Sequence, residues 1–223
     1  MISISFQKKI LQNLPGIRLG CISMEVQVVP SGEEILAFSE KIISNISLNM
    51  SIEEVSRKPT IKDTKDAYRR LGKDPSRYRP SAEALTRRII NGKGLYLINN
   101  IVDILNLVSL ESGFSIGGYD FEKIKGNIEF GVGEENESYI AIGRGKLNIK
   151  NLPLFRDESG AFGSPTSDSL RTMVTNSTSR FLMIIIDFGK DDKLKDTINR
   201  TTELYKKYTN TTGFETALIT ASN

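Results

Sequence analysis

The chain has 223 residues and no histidine. Imidazole is the side chain that most often moves protons near neutral pH. Any acid–base chemistry here must fall to Asp, Glu, Lys, Tyr or hydroxyl groups. The lone cysteine, Cys21, cannot form an internal disulfide. Without histidine, a zinc site of the usual Cys/His kind is excluded, so neither metal nor cofactor is expected. The residues that could act lie in three stretches. The first, residues 77–81, is Arg77-Tyr78-Arg79-Pro80-Ser81, followed by Arg87 and Arg88. Guanidinium groups fork onto phosphate oxygens, and Tyr78 can stack on a base or pack its loop. Against this, Glu83 can bind Arg79 and Arg87 at i±4 on its own helix.

The second stretch is an apolar helix carrying one polar stripe. Ile101, Val102, Ile104, Leu105, Leu107, Val108 and Leu110 point in nearly every direction, so the helix is expected to be buried. Asn99, Asp103 and Asn106 share a face at i, i+4 and i+7. A buried polar group without a partner costs roughly 1–3 kcal/mol. Its partner is either a neighbouring backbone or the polar part of a ligand. Ser115-Ile116-Gly117-Gly118-Tyr119-Asp120 follows, with paired glycines that allow close backbone approach or a turn. The third stretch, residues 160–169, is a hydroxyl-rich loop containing Ser164, Thr166, Ser167 and Asp168. Ser167 or Asp168 capping a short helix accounts for part of it. Arg156, Asp157 and Arg171 flank the loop and suggest an Arg–carboxylate pair.

These residues need elements to hold them. A strand is expected over Ile17–Val29 and a helix over Gly32–Ser47, with Ser31 as cap. Further helices should run from Asp63 through Leu71, from Pro80 to Ile90 and from Asn99 to Leu110. Leu95–Ile98 reads as a short strand or the start of a helix. The second half is richer in strand signals, at Gly126–Val132, Ser138–Ile142, Lys146–Ile149, Thr172–Thr175, Phe181–Phe188 and Phe214–Thr220. A helix is expected from Asp192 to Tyr208. Strands and helices interleave without a regular βαβ repeat. That predicts an α+β fold of mixed β-sheets layered with helices, as one compact domain over residues 1–223. Neither a dinucleotide-binding fingerprint nor a GxxxxGK[ST] phosphate loop occurs.

Composition narrows the class. Apolar content of 39% and charged content of 26% suit an ordinary globular domain. No apolar run approaches the ~20 residues of a membrane helix, and the first residues lack the order of a secretory signal. A cytoplasmic protein with no membrane partner is expected. Net charge is only +3, but Arg57 to Lys93 holds 12 Lys/Arg against 4 Asp/Glu, a local balance of +8. One basic face, and phosphate as its partner, is one reading; a solvated helix surface is the other.

Taken together, Arg79-Pro80-Ser81, Asn99-Asn100-Ile101-Val102-Asp103-Ile104-Leu105-Asn106 and Gly113 to Asp120 resemble successive motifs of a known domain. It is the tRNA-binding editing domain of the bacterial phenylalanyl-tRNA synthetase beta subunit, formed by that subunit's third and fourth modules. The resemblance is sharpest over 77–125 and extends to about 175. Gly160 to Gly163 looks like the family's glycine-rich loop. The resemblance implies the same α+β scaffold, a tRNA or aminoacyl-tRNA partner, and hydrolysis of a misattached amino acid. The family's pocket histidine falls on Gly117, its threonine on Leu105, and its loop glutamate near Pro165; Asn106 keeps the asparagine. The rebuilt pocket would use Ser115, Gly117, Gly118, Ser164, Thr166 and Ser167, with Asp168 and Asn106 holding the attacking water. Arg77, Tyr78, Arg79, Arg87 and Arg88 would meet RNA. A free-standing editing-type hydrolase and a non-catalytic binding module for an amino-acid-like ligand or a partner protein both fit. No ligase core is present, and the sequence names no protein partner.

Overall fold

The computed structural model describes residues 2–189 and 193–221. Its organising element is β9 (Arg180–Asp187), whose Phe181 to Ile186 are all apolar and buried. A strand covered on both faces carries no polar alternation, which is why this run is continuous. β9 lies between β2 (Arg18–Glu25) and β3 (Ser115–Asp120), and β10 (Thr212–Thr220) pairs on the far side of β2. All three pairings in this four-stranded central sheet are antiparallel. β3 is one of its edges.

Period-two alternation gives each sheet face its own core. Ile22, Met24, Phe181, Met183, Ile185 and Ile116 belong to a core shared with helices. Those helices are α2 (Glu33–Asn49), α5 (Ser81–Ile90), α6 (Asn100–Ser112) and α7 (Lys193–Tyr208). Leu19, Cys21, Leu182, Ile184, Ile186 and Tyr119 face the other way, onto Phe130, Phe155 and Phe162. These phenylalanines belong to a second sheet of β1 (Ile4–Phe6), β4 (Ile128–Val132), β7 (Pro153–Asp157) and β8 (Gly160–Gly163), and the short α1 (Lys8–Asn13) adds Ile10 to the same core. The architecture is therefore three layers, helices on sheet on sheet. A hairpin of β5 (Ser138–Ala141) and β6 (Gly145–Asn148) packs on Tyr68 of α4 (Pro59–Arg70).

Local chemistry sets the boundaries. Ser51 and Glu54 form a reciprocal cap that starts α3 (Ile52–Arg57), a helix the sequence reading did not anticipate. α4 begins at Pro59, four residues before the anticipated Asp63. The Asn99 side chain accepts from the Ile101 and Val102 N–H groups to start α6, and Gly113 at φ 77° ends it. Three expectations are corrected. Gly117-Gly118 is not a turn but the middle of β3, in register with Ile184 and Met183. Thr172–Thr175 is not a strand; a short 3-10 turn, Leu170–Thr172, begins there. Leu95–Ile98 is neither strand nor helix. β8 lies in the stretch expected as a loop, and β7 is a strand for which no signal was named; both are short and punctuated by Pro153, Gly160 and Gly163. Asp192, the anticipated start of the last helix, lies outside the described residues. No helix among the described residues is long and apolar enough to cross a membrane.

The glycine pair of β3 is required sterically. A Cβ on Gly117 would overlap the Tyr119 hydroxyl, and a Cβ on Gly118 would overlap Leu105 of α6. Gly117→Ala should therefore cost about 2 kcal/mol of stability through overpacking. A thermal melt should show Tm lower by about 4–8 °C; an unchanged Tm would mean that the Tyr119 phenol moves freely.

Candidate functional site

The site forms where the loop after β8 meets the outer edge of β3. An edge strand presents backbone N–H groups with no ladder partner. Here the Gly118 N–H donates to Asp168 Oδ2 at 3.2 Å, and the Tyr119 hydroxyl donates to Asp168 Oδ1 at 2.9 Å. The loop crosses back antiparallel, with Asp168 opposite Gly163 and its carbonyl accepting from Ile142 N–H at 2.9 Å. Asp168 does not cap a helix; Ser169 does, accepting from Arg171 N–H at 3.2 Å. Burial pushes the Asp168 carboxyl up to about 7, against the lowering effect of the Gly118 N–H, the Tyr119 hydroxyl and the Ser164 N–H. The Tyr119 phenol is driven well above its ordinary range by burial and by the adjacent Asp168 charge.

The loop hydroxyls are engaged within the protein. Tyr139 donates to the Ser167 carbonyl at 2.5 Å and meets Ser164 Oγ at 2.9 Å. Thr166 Oγ1 pairs with the Tyr68 hydroxyl at 2.9 Å. Ser81 N–H, at the start of α5, donates to the Pro165 carbonyl at 2.7 Å. Ser167 Oγ donates to the Ile142 carbonyl at 3.4 Å. The loop is thus pinned by tyrosines from α4, β3 and β5. Sequence reasoning passed over this set, although Tyr68, Tyr119 and Tyr139 are three of only seven tyrosines in the chain. The Gly118 N–H is committed to Asp168, so it is not free to donate to a ligand.

The other expected site residues divide. Ser115 Oγ is buried with no hydrogen-bond partner among the described residues. It shares a face of β3 with Gly117 and Tyr119, by strand alternation. Asn106 is half-buried on α6 and makes no side-chain hydrogen bond among the described residues. Its stripe-mates are structural: Asn99 is the helix cap, and Asp103 accepts from Ser31 Oγ at 2.6 Å and Ile98 N–H at 2.8 Å. Burial raises the Asp103 carboxyl above its usual range. Arg171 forks onto Asp157 at 2.8 and 3.0 Å, while Arg156 holds Glu137.

The basic segment is organised around one acid. Glu83, only 2% exposed, is met by Arg87 at 2.8 Å, Lys65 at 3.4 Å and Arg79 at 3.8 Å. Arg87 also donates to Ser56 Oγ. Arg88 lies 3.6 Å over the Tyr96 ring and donates to the Lys93 carbonyl. Lys73 covers the Tyr78 ring at 3.6 Å and donates to the Asn148 and Lys150 carbonyls. Burial, helped by Arg77 and Lys150, lowers the Lys73 ammonium to about 8. Arg77 stays exposed, its guanidinium 5.9 Å from the centre of the Tyr78 ring, and Arg70 is exposed near the end of α4. Arg144, at the exposed tip between β5 and β6, stands close enough to act on the Tyr68 and Tyr139 phenols. Among the described residues, no group of three or more His, Cys, Asp or Glu side chains could hold a metal ion.

Two measurements follow. The Asp168 carboxyl is raised from 3.8 to about 7, so its neutral form is favoured in the folded state. Its contribution is fully present below about pH 4 and is lost as pH rises through 7. Asp168→Asn should gain stability relative to the parent across that window, by on the order of 3 kcal/mol. Urea midpoints at pH 4.5 and 8 test this, and a pH-independent difference would contradict it. Separately, Arg87→Ala should cost about 1–2 kcal/mol by leaving the buried Glu83 short of a partner. Arg77→Ala, at an exposed side chain, should leave the melting curve in place.

The family model described as the B3/4 domain matches residues 63–221. The phenylalanine–tRNA ligase beta subunit of Mycoplasma pneumoniae is 27% identical over 117 residues, 52% of this chain and 14% of that protein. That of Fusobacterium nucleatum is 28% identical over 105 residues, 46% of this chain and 13% of that protein. The matched region is thus about one seventh of each of these relatives. The crystal structure of an N-terminal fragment of the phenylalanyl-tRNA synthetase beta subunit from Pyrococcus horikoshii aligns with 96% of this chain and 50% of that chain. Its TM-score is 0.50 at 15% identity, a likeness of fold. With its matched region running from α4 to β10 and its three-layer scaffold intact, the chain belongs to the B3/4 domain family.

Proposed function

We propose that this protein binds aminoacyl-tRNA and hydrolyses a misattached amino acid, with Asp168 as the general base. The observation that carries the reading is a buried carboxyl raised to about 7 beside the Tyr119 hydroxyl. A base works best when its pKa lies near the operating pH. An aminoacyl ester is already activated, so a water deprotonated by Asp168 can attack its carbonyl carbon. The tetrahedral adduct then expels the ribose oxygen, which leaves with a proton returned from the acid form of Asp168. The unengaged Asn106 amide, which matches the family's asparagine, is the group assigned to orient the substrate. Exposed Arg70, Arg77 and Arg144 are assigned to the phosphates, assisted by Arg79. Such a substrate belongs to translation, in keeping with a cytoplasmic protein.

One observation favours a second reading, a binding module without chemistry. Both Asp168 oxygens already accept hydrogen bonds from β3, and Ser164 and Thr166 are spent on tyrosines. The two readings separate by experiment. Filter binding at low salt should detect tRNA, and affinity should fall steeply with salt as counterions are released. Arg77→Ala combined with Arg144→Ala should weaken binding about tenfold. The intact protein should deacylate mischarged tRNA, and Asp168→Asn should slow it at least about a hundredfold. Binding with no deacylation leaves the module; absence of tRNA affinity rejects the RNA reading and leaves a module for an amino-acid-like ligand or a partner protein.

A further inference from the structure

A second site lies among the helices, lined by none of the residues placed at Asp168. A cavity of about 470 Å³ opens between α2, α6 and α7, near the start of α4. Its apolar lining comes from Phe38, Ile42, Ile46, Met50 and Leu110. Three cations stand on it, Lys41, Lys58 and Arg200, against one carboxylate, Glu111. Such a volume suits a small molecule, and apolar walls with a few convergent polar groups are the usual form of a ligand site.

Among the described residues, one carboxylate, Glu111, stands against the three cations. Glu111 meets Arg200 at 3.6 Å, which accounts for one of the three. The Arg200 guanidinium also lies 5.8 Å from the centre of the Phe38 ring. Lys58 donates to the Leu110 carbonyl at 3.2 Å, near the C-terminus of α6, and has further N–H donors to spare. It is half-buried with no carboxylate within ion-pair distance among the described residues. Burial, and then the charge of Lys193, lowers its pKa; a bound anion would reverse that. Lys41 is exposed and unpaired among the described residues.

We infer that this cavity binds a small organic acid, a single carboxylate on an aromatic or aliphatic body. The carboxylate sits between Lys41 and Lys58, and the body lies on Phe38, Ile42 and Ile46. A neutral analogue gains the apolar contacts but leaves Lys58 without its counter-charge. The inference is independent of RNA binding and of any hydrolysis.

Sodium phenylacetate and the neutral 2-phenylethanol are suitable probes, titrated into the 15N-labelled protein. Phenylacetate should give saturable amide shifts at Phe38, Asn45, Glu111 and Arg200. The alcohol should bind at least about tenfold more weakly, a difference of about 1.4 kcal/mol. Lys41→Glu, at an exposed position, should weaken phenylacetate about tenfold with the rest of the spectrum unchanged. Asn45→Trp, also at an exposed position on the cavity wall, should abolish the shifts by filling the space. Equal affinities for the two probes, shifts mapping elsewhere, no shifts at all, or an unaltered Lys41→Glu titration would overturn the assignment.

Discussion

The arrangement of this domain turns on one carboxylate closing one sheet edge. Asp168 sits against the outer side of β3, taking the Gly118 N–H and the Tyr119 hydroxyl onto its two oxygens. That contact couples the layers. Tyr119 packs edge-on against Phe162 and Phe155 of the second sheet, while Gly118 lies under Leu105 of α6. A change at Asp168 therefore reaches both cores. The same contact keeps a charge where water is scarce, the condition under which a carboxyl acquires a pKa suited to proton transfer near neutrality. Stability and chemical potential are drawn from a single residue, and they pull in opposite directions as pH rises.

Much of this was legible in the residues. The helical spacing of Ile35, Ile42 and Ile46 gave α2, and the apolar run from Phe181 read as a strand, which it is. The order of motifs between Arg79 and Asp120 pointed to the right scaffold. What the one-dimensional pattern withheld was pairing. Nothing local says that Gly117 and Gly118 run as a strand, because glycine has low strand preference and both are there for steric reasons. Nothing local says that a loop aspartate fifty residues on will cap that strand. The tyrosines were overlooked for the same reason: their value lies in what they reach across the fold.

The basic segment shows how composition misleads when read as a sum. Its +8 balance suggested one cationic surface. In the fold, Glu83 draws three of those cations inward, Lys73 is committed to β6 and its loop, and Arg88 is laid on Tyr96. The positive potential outside comes from fewer side chains than the count implies, chiefly those on α4 and on the loop before α5. The interior pairs instead fix how α4 and α5 sit together. That geometry carries the Ser81 N–H to the Pro165 carbonyl and so holds the loop of Asp168 in place.

The antiparallel register of the central sheet has a kinetic corollary. Arg18 at one end of β2 pairs with Asp187 of β9, 169 residues later, and with Thr220 of β10 beyond it. Local units such as the β5–β6 hairpin and α6 can form within microseconds, but β2 must wait for both partners to be synthesised and to find it. Closing so long a loop is entropically costly before any contact rewards it. During translation, then, β2 and β3 stay open-edged until the ribosome has released β9. A nascent chain of this kind depends on being kept from strand-to-strand association until its middle strand arrives.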